Sequence, residues 1–210
     1  MASLRMEPAG VTLEIPEAAR ELAARHASPM MDSAELSYLA AALQLVPWTS
    51  EAIVVEIGAY RGNTTVFMAR VLDALGRDHP ILSVDPFDRA ETDELNPQGS
   101  LAEFMSRIDA EGLAERCLPL VAFSEAAAAV VPERIGLLMV DGSHHYAAVK
   151  NDLTLYAEKL IPGGIIFIDD YLPPYDGVIQ ATDEFLEDRR EFHVLHRAWF
   201  VILQKQGRPT

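Results

Sequence analysis

The sequence predicts an α/β protein: a doubly wound, mostly parallel sheet of seven strands, an antiparallel hairpin at one edge, and helices at the N-terminus. Three observations predict it. From about residue 50 onward, short β-branched runs alternate with longer amphipathic stretches, the signature of strand–helix–strand units. The runs LLMV (137–140) and IIFI (165–168) are apolar without interruption, as strands buried on both faces are. The last two strand-like runs have no helix between them, which suits an antiparallel edge pair.

In chain order, residues 1–16 read as a loose arm, broken by Pro8, Gly10 and Pro16. Pro16 to His26 reads as a helix, with proline at its start, Glu17 early and His26 late. Ser33 to Leu45 is a second helix, with Ser33 as its cap and Leu36, Leu39 and Leu43 on one face. Strands are expected at 53–57 and 81–85, with a helix between them running to about Leu75. A polar loop spans Pro86 to Ser100, and a helix follows near Leu101–Glu111. A short strand at 118–122 and a short helix at 124–130 come next. Then follow a strand at 136–141, a helix at 146–160, a strand at 164–170 and a helix at 178–188. The final strands fall at 192–195 and 199–203. The division is an arm with helices over 1–48 and the main α/β unit over 49–210, within a single domain.

Composition narrows the function. Half of the 210 residues are hydrophobic, enough for a substantial core. The single cysteine, Cys117, excludes a disulfide framework and any zinc site built on several thiolates. Seventeen basic against 32 acidic residues leave a formal net charge of −15. Such a chain is repelled by nucleic-acid phosphates and by anionic membrane surfaces unless it carries a basic stripe. Its densest basic pair, Arg189-Arg190, is flanked by acids. No apolar run approaches the roughly 20 residues of a spanning helix, and residues 1–12 hold no long apolar segment of a secretory signal. The expectation is a soluble cytoplasmic protein handling a small molecule, with neither nucleic acid nor a membrane as partner.

In doubly wound sheets ligands bind beyond the carboxyl ends of the strands, at the switch in strand order. The first strand of the main unit leads into Glu56-Ile57-Gly58-Ala59-Tyr60-Arg61-Gly62, an E-x-G-x-x-x-G turn. Its glycines permit unusual φ and close approach of a ligand. The spacing is not that of a pyrophosphate cradle, and Glu56 suits a cationic group better than a phosphate. The bland alternative is an ordinary glycine turn. The second strand ends at Asp85, 85 − 62 = 23 residues after Gly62, near the offset at which a carboxylate takes the hydroxyls of a ribose. Taken alone, such an Asp is as readily a helix cap.

With these residues the chain resembles the class I S-adenosylmethionine-dependent methyltransferases, whose fold is Rossmann-like. VVEIGAYRGNTTVFMAR is similar to their first motif, LSVDPFD to their acidic second one, and GLLMVDGSHHY and LIPGGIIFIDDY to their later strands. The resemblance covers about residues 50–205. It implies S-adenosylmethionine as cofactor. Glu56, Gly58, Ala59, Tyr60 and Gly62 would line its methionine end, Asp85 would hold its ribose, Ser124 would sit beside its adenine, and Asp141 would border the site.

Asp141 ends one strand and Asp169-Asp170 end the next, bringing three carboxylates to one rim. Carboxylates so close repel unless protonated or bridged by a cation, and oxygen ligands favour a hard ion such as Mg²⁺. The bland alternative is three solvent-facing strand ends. The pattern resembles the metal-dependent O-methyltransferases: the glycine turn is nearer the catechol type, the Asp and Asp-Asp set nearer the macrocin-type sugar enzymes. Compact methyltransferases acting on partly methylated mannosides are similar as well. The resemblance implies Mg²⁺ at Asp141, Asp169 and Asp170, and methyl transfer to a hydroxyl of a sugar or oligosaccharide acceptor, as in polysaccharide biosynthesis. His144 lies three residues after Asp141, where catechol-type relatives carry a lysine base, and imidazole suits the same task near neutrality. His145 orients its neighbour or faces solvent. Tyr171 and Tyr175 lie on a loop able to pack on a sugar's apolar face. A catechol-like enzyme, a non-catalytic nucleoside-binding module and a nicotinamide-dependent oxidoreductase are the rivals; Glu56 and the glycine spacing speak against the last. The N-terminal helices can cap the site or form a homodimer interface.

Overall fold

A computed structural model describes residues 2–89 and 99–207. The middle of the expected 86–100 loop, residues 90–98, lies outside the described residues.

The expected loose arm is a hairpin. β1 (Ala2–Met6) pairs antiparallel with β2 (Val11–Ile15), Met6 opposite Val11. The breakers form its turn: Gly10 takes φ 69° and donates to the Met6 carbonyl at 2.9 Å, and Pro8 bridges to His196. The alternation of Val11, Leu13 and Ile15 is the strand signal that the breakers masked. Met6 and Ile15 are buried.

Helix α1 (Glu17–His26) follows Pro16, and α2 is Ser33–Leu45. Its cap is Asp32, not Ser33. Asp32 accepts from the N–H groups of Ala34 (2.7 Å) and Glu35 (2.9 Å), and Glu35 accepts from the Asp32 N–H at 2.7 Å. This reciprocal box needs an acid and a glutamate three apart, which Asp32 and Glu35 provide. Leu36, Leu39 and Leu43 are all fully buried.

The main sheet holds β3 (Ile53–Ile57), β4 (Ile81–Asp85), β5 (Cys117–Val121), β6 (Ile135–Val140), β7 (Leu160–Ile168), β8 (Phe192–Arg197) and β9 (Val201–Lys205), in the order β5-β4-β3-β6-β7-β9-β8. β3 to β7 pair in parallel; β9 runs antiparallel to both β7 and β8. The seven-stranded, mostly parallel sheet with its antiparallel edge is therefore as expected. β7 starts earlier than expected: Pro162-Gly163-Gly164 form an irregularity inside the strand, where the register with β6 shifts.

Period-two alternation divides the core. Val54, Leu137, Ile165 and Ile202 pack on one face with α1, α2, α3 (Asn63–Ala74) and α4 (Leu101–Ala110). Val55, Leu138, Ile166 and Leu203 pack on the other with α5 (Ser124–Ala127), α6 (Tyr146–Ala157) and α7 (Asp176–Asp188). Met6 and Ile15 of the hairpin join the first cluster, so the N-terminal segment shares the core of the sheet. No helix among the described residues is long and apolar enough to cross a membrane.

The chain runs outward through β3, β4 and β5, then returns to lay β6 beside β3. The switch crevice therefore opens above the ends of β3 and β6. There Gly58 is wedged against the loop after β6: a Cβ on it would fall inside the Asp141 carbonyl, and its φ is +88°. Gly76 also has positive φ (+67°) but faces open space. Alanine at either position should lose roughly 1–2 kcal/mol to backbone strain. Gly58→Ala should lose about 1–3 kcal/mol more from the clash with unyielding backbone. Urea denaturation of both variants measures the difference; equal losses would mean that the loops separate without penalty.

Candidate active site at the switch crevice

The glycine turn is held from below. Gly58 donates to the Val84 carbonyl (3.0 Å) and Asp141 to the Ile57 carbonyl (2.9 Å), joining the ends of β4, β3 and β6. Gly62 takes φ 78° at the start of α3, and a Cβ there would lie 2.9 Å from the Phe104 ring. The close approaches that require these glycines are to protein, not to open space. Ala59 is buried, and Tyr60 takes a left-handed φ of 49°.

Asp85 anchors the turn. One oxygen accepts from the Tyr60 N–H at 2.8 Å, the other from the Phe87 N–H at 2.5 Å. Burial raises its pKa, opposed by these N–H groups and that of Ala59. With these N–H groups accepted, the carboxylate still has lone-pair capacity for a donor such as a ribose hydroxyl.

Glu56 is not in the turn. It is a residue of β3, 1% exposed, with Oε2 accepting from Thr65 (2.5 Å) and Ser83 (2.7 Å) and Oε1 buried without a partner. Burial pushes its carboxyl up to about 7, against the pull of the two hydroxyls. The orphaned oxygen beneath the glycine turn is the observation that fits a cationic cofactor end. A buried acceptor without a donor is costly, and a positive group above it would relieve the cost.

Ser124, at the head of α5, donates its hydroxyl to Asp152, and its carbonyl accepts from the Tyr156 hydroxyl at 2.7 Å. Asp152 is 2% exposed, and burial pushes it up to about 7. Sequence reasoning passed over Asp152. Its signal was an acid on the face of α6 that carries Val149, Leu153 and Tyr156, all buried.

The carboxylate rim differs in one respect from expectation. Ligand atoms of Asp141, His144 and Asp170 lie within 4.8 Å of one another, a geometry able to hold a metal ion. Asp169 is outside this trio. It is 4% exposed, and its Oδ1 accepts from the Asp170 N–H at 2.9 Å. It is nevertheless a near neighbour of Asp141 and, after burial, the first of the carboxylates that raise that group's pKa. Asp169 continues the Phe167 face, toward α2 and Glu35. Asp170, at φ 55°, turns toward His144, whose Nε2 is 2.8 Å from its Oδ2. Asparagine-like residues tolerate this left-handed strain best. The His144 ring packs 4.4 Å from that of Tyr175. His145 is exposed.

Like charge crowds the rim, where the His144 ring lies against Asp170. Asp141 and Asp169 are raised well above the usual carboxylate range, first by burial, then by neighbouring carboxylates: Asp169 and Asp170 for the former, Glu35 and Asp170 for the latter. Glu35 comes from the N-terminal helix, and nothing in its local pattern marked it beyond a capping role. Of the loop tyrosines, Tyr175 faces His144, whereas Tyr171 donates to Asp183 of α7 at 2.8 Å. Crowded like-charged carboxylates fit a bridging cation; their oxygens suit Mg²⁺ or Mn²⁺, whereas a ring nitrogen of His144 suits a softer ion than Mg²⁺.

Residues 55–171, more than half of the chain, match the family described as "Methyltransferase domain". An uncharacterized protein of Acanthamoeba polyphaga mimivirus is 27% identical over 121 residues, 56% of this chain and 50% of the viral protein. The chain thus spans about half the length of the curated relative it matches. Among solved structures, the O-methyltransferase NovP superposes with TM-score 0.68 at 20% identity, over 83% of this chain and 81% of NovP. CalS11, a TDP-rhamnose 3'-O-methyltransferase of calicheamicin biosynthesis, gives 0.61 at 18%, over 80% and 77%. At these identities the likeness shows the fold.

The buried acids have a measurable consequence. Glu56 and Asp152 titrate near 7 in the folded chain, against 4.5 and 3.8 for the ordinary side chains. The folded state then binds more protons than the unfolded one between these limits, so stability falls as pH rises toward 7. Urea midpoints should drop between pH 5 and pH 8. Asp152→Asn should remove a share of that drop worth a few kcal/mol at most, at about 1.4 kcal/mol per pKa unit. An unchanged slope would mean that Asp152 is ionised throughout.

Proposed function

Because this chain belongs to the methyltransferase domain family, we propose that it is a divalent-metal-dependent enzyme that moves the methyl group of S-adenosylmethionine to a hydroxyl of a sugar acceptor. The observation that carries the reading is the trio of Asp141, His144 and Asp170 within 4.8 Å, at the strand ends next to the glycine turn. The acceptor class rests on the aromatic and carboxylate surroundings of that trio, and it is the kind of acceptor named for CalS11. A partly methylated mannoside or a longer oligosaccharide falls within it.

When bound, S-adenosylmethionine would supply an electrophilic methyl on a sulfonium sulfur, and Mg²⁺ would supply positive charge beside the acceptor oxygen. The chain's own groups do the rest. Glu56 and the glycine turn would face the cationic end of the cofactor and Asp85 its ribose, with Ser124, Ala59 and Tyr60 bordering the same crevice. Asp141 and Asp170 would hold the ion, with Asp169 beside them accepting from the Asp170 N–H. His144 takes the proton of the acceptor hydroxyl, oriented by Asp170 at 2.8 Å. Positioning of oxygen, methyl and sulfur in line would supply much of the acceleration.

A second role for His144 is favoured by its place in the trio: a metal ligand. Two measurements separate the roles. As the base, His144→Ala should lower kcat by roughly 10²–10⁴ and leave the metal concentration for half-maximal rate unchanged. The wild-type rate should then rise with pH through the range where histidine loses its proton. As a ligand, the variant should instead need much more metal, and added Mn²⁺ should restore rate. His145→Ala, exposed as it is, should cost little in either case. A His144→Ala enzyme with full kcat and unchanged metal demand would remove His144 from the reaction.

The reading as a whole is checked by calorimetry and chelation. S-adenosylhomocysteine should bind, with Asp85→Ala weakening it strongly. Exhaustive chelation should abolish methyl transfer and Mg²⁺ restore it. Full activity after chelation would overturn the metal while leaving methyl transfer in place. NAD binding without any response to S-adenosylhomocysteine would overturn the cofactor.

A further inference from the structure

We infer that Trp199, in the β8–β9 turn, is the stacking platform of the acceptor subsite and determines affinity for a sugar ring; this rests on the sugar acceptor proposed above. Three contacts bring the turn to the rim. The Trp199 carbonyl accepts from the Tyr171 N–H at 2.8 Å, directly after Asp169-Asp170. The Trp199 side chain lies near enough to Glu35 to hold its carboxyl pKa down against the rise from burial. Glu35 in turn is the first charged neighbour acting on Asp169. The indole thus sits near the N-terminus of α2 and the carboxylates.

Its ring is nevertheless 39% exposed. Among the described residues its ring contact is with Phe200, nearly perpendicular at 84°, so no face-to-face stack covers it. The other tryptophan contrasts with it: Trp48 donates to the Leu43 carbonyl at 2.9 Å and is stacked on His79 at 4.4 Å. A large exposed indole beside a rim of buried acids is an unusual surface. Its chemistry matches a ligand with one apolar face and several hydroxyls at its edge. The C–H face of a pyranose would lie on the indole, and its hydroxyls would donate to the carboxylates around it. The Tyr171–Trp199 backbone bond and the perpendicular Phe200 ring hold the turn in place in advance, which lowers the ordering cost of binding.

The test is acceptor kinetics on the metal-loaded enzyme, with methyl glycosides of glucose, rhamnose and mannose as probes and catechol for comparison. Trp199→Ala should raise the KM for the glycoside by about tenfold or more, the scale of one aromatic contact. The kcat should stay within about threefold, and S-adenosylhomocysteine affinity should not move. Trp199→Phe should recover most of the loss. Independently of any variant at this position, the fluorescence of a Trp48→Phe protein should change saturably with the glycoside. That readout holds if Trp199→Ala fails to fold. An unchanged KM in Trp199→Ala, or no fluorescence change on saturation, would overturn the platform and leave sugar methylation standing. Parallel loss of KM, kcat and cofactor affinity, unrescued by phenylalanine, would make Trp199 structural. Turnover of catechol with no glycoside would overturn the sugar reading itself, and the platform with it.

Discussion

The site depends on a contact between two backbones. Gly58 of the β3 turn lies against the carbonyl of Asp141, the first residue after β6, with no room for a side chain between them. That contact exists because β6 returns to the centre of the sheet beside β3. It joins two chemically different halves of the crevice: a glycine turn over the buried Glu56, and a rim of carboxylates. The Gly58 and Asp141 hydrogen bonds to Val84 and Ile57 carry the same constraint sideways into β4. Left-handed backbone gathers at the same edge of the sheet, at Tyr60, Phe87 and Asp170, just beyond the ends of β3, β4 and β7. Strain gathered at strand ends is typical of sites whose geometry is fixed by the surrounding fold.

Electrostatics works against folding in the same place. Asp169 and Glu56 are buried and Asp141 is half-buried, and each is raised in pKa first by desolvation. Glu56 is opposed by the hydroxyls of Thr65 and Ser83, and Asp169 by the Asp170 N–H. A bound cation would remove most of this repulsion, so ligand binding and stability are coupled at the crevice. Asp152 shows the same economy one layer away, with the Ser124 hydroxyl as its partner. Buried acids held by hydroxyls keep raised pKa values, whereas an arginine partner would lower them.

Much of this was legible in the chain before its structure. The alternation of LLMV and IIFI with amphipathic stretches specified strands and helices, and every expected strand from 53 onward was found within a few residues of its place. The acids and glycines at the strand ends were legible too, because a parallel sheet collects its strand ends on one side. The N-terminal hairpin was hidden by Pro8 and Gly10, which signal disorder and a tight turn equally well. The cap of α2 was misplaced by one residue, since Asp32 and Ser33 both suit it and Glu35 decides between them.

What the sequence by itself determined is the order of elements and the inventory of groups at the crevice, because both follow from local periodicity and from the direction of a strand. What the tertiary structure decided is which groups meet. His144, from the loop before α6, brings a ring nitrogen within 4.8 Å of the carboxylate oxygens of Asp141 and Asp170. Glu35 and Trp199 arrive from opposite ends of the chain, brought to the rim by the packing of α2 and by the antiparallel edge. Residues so far apart carry no local pattern that links them. Their meeting is set by strand order and by the core packing that seats the N-terminal segment on the sheet.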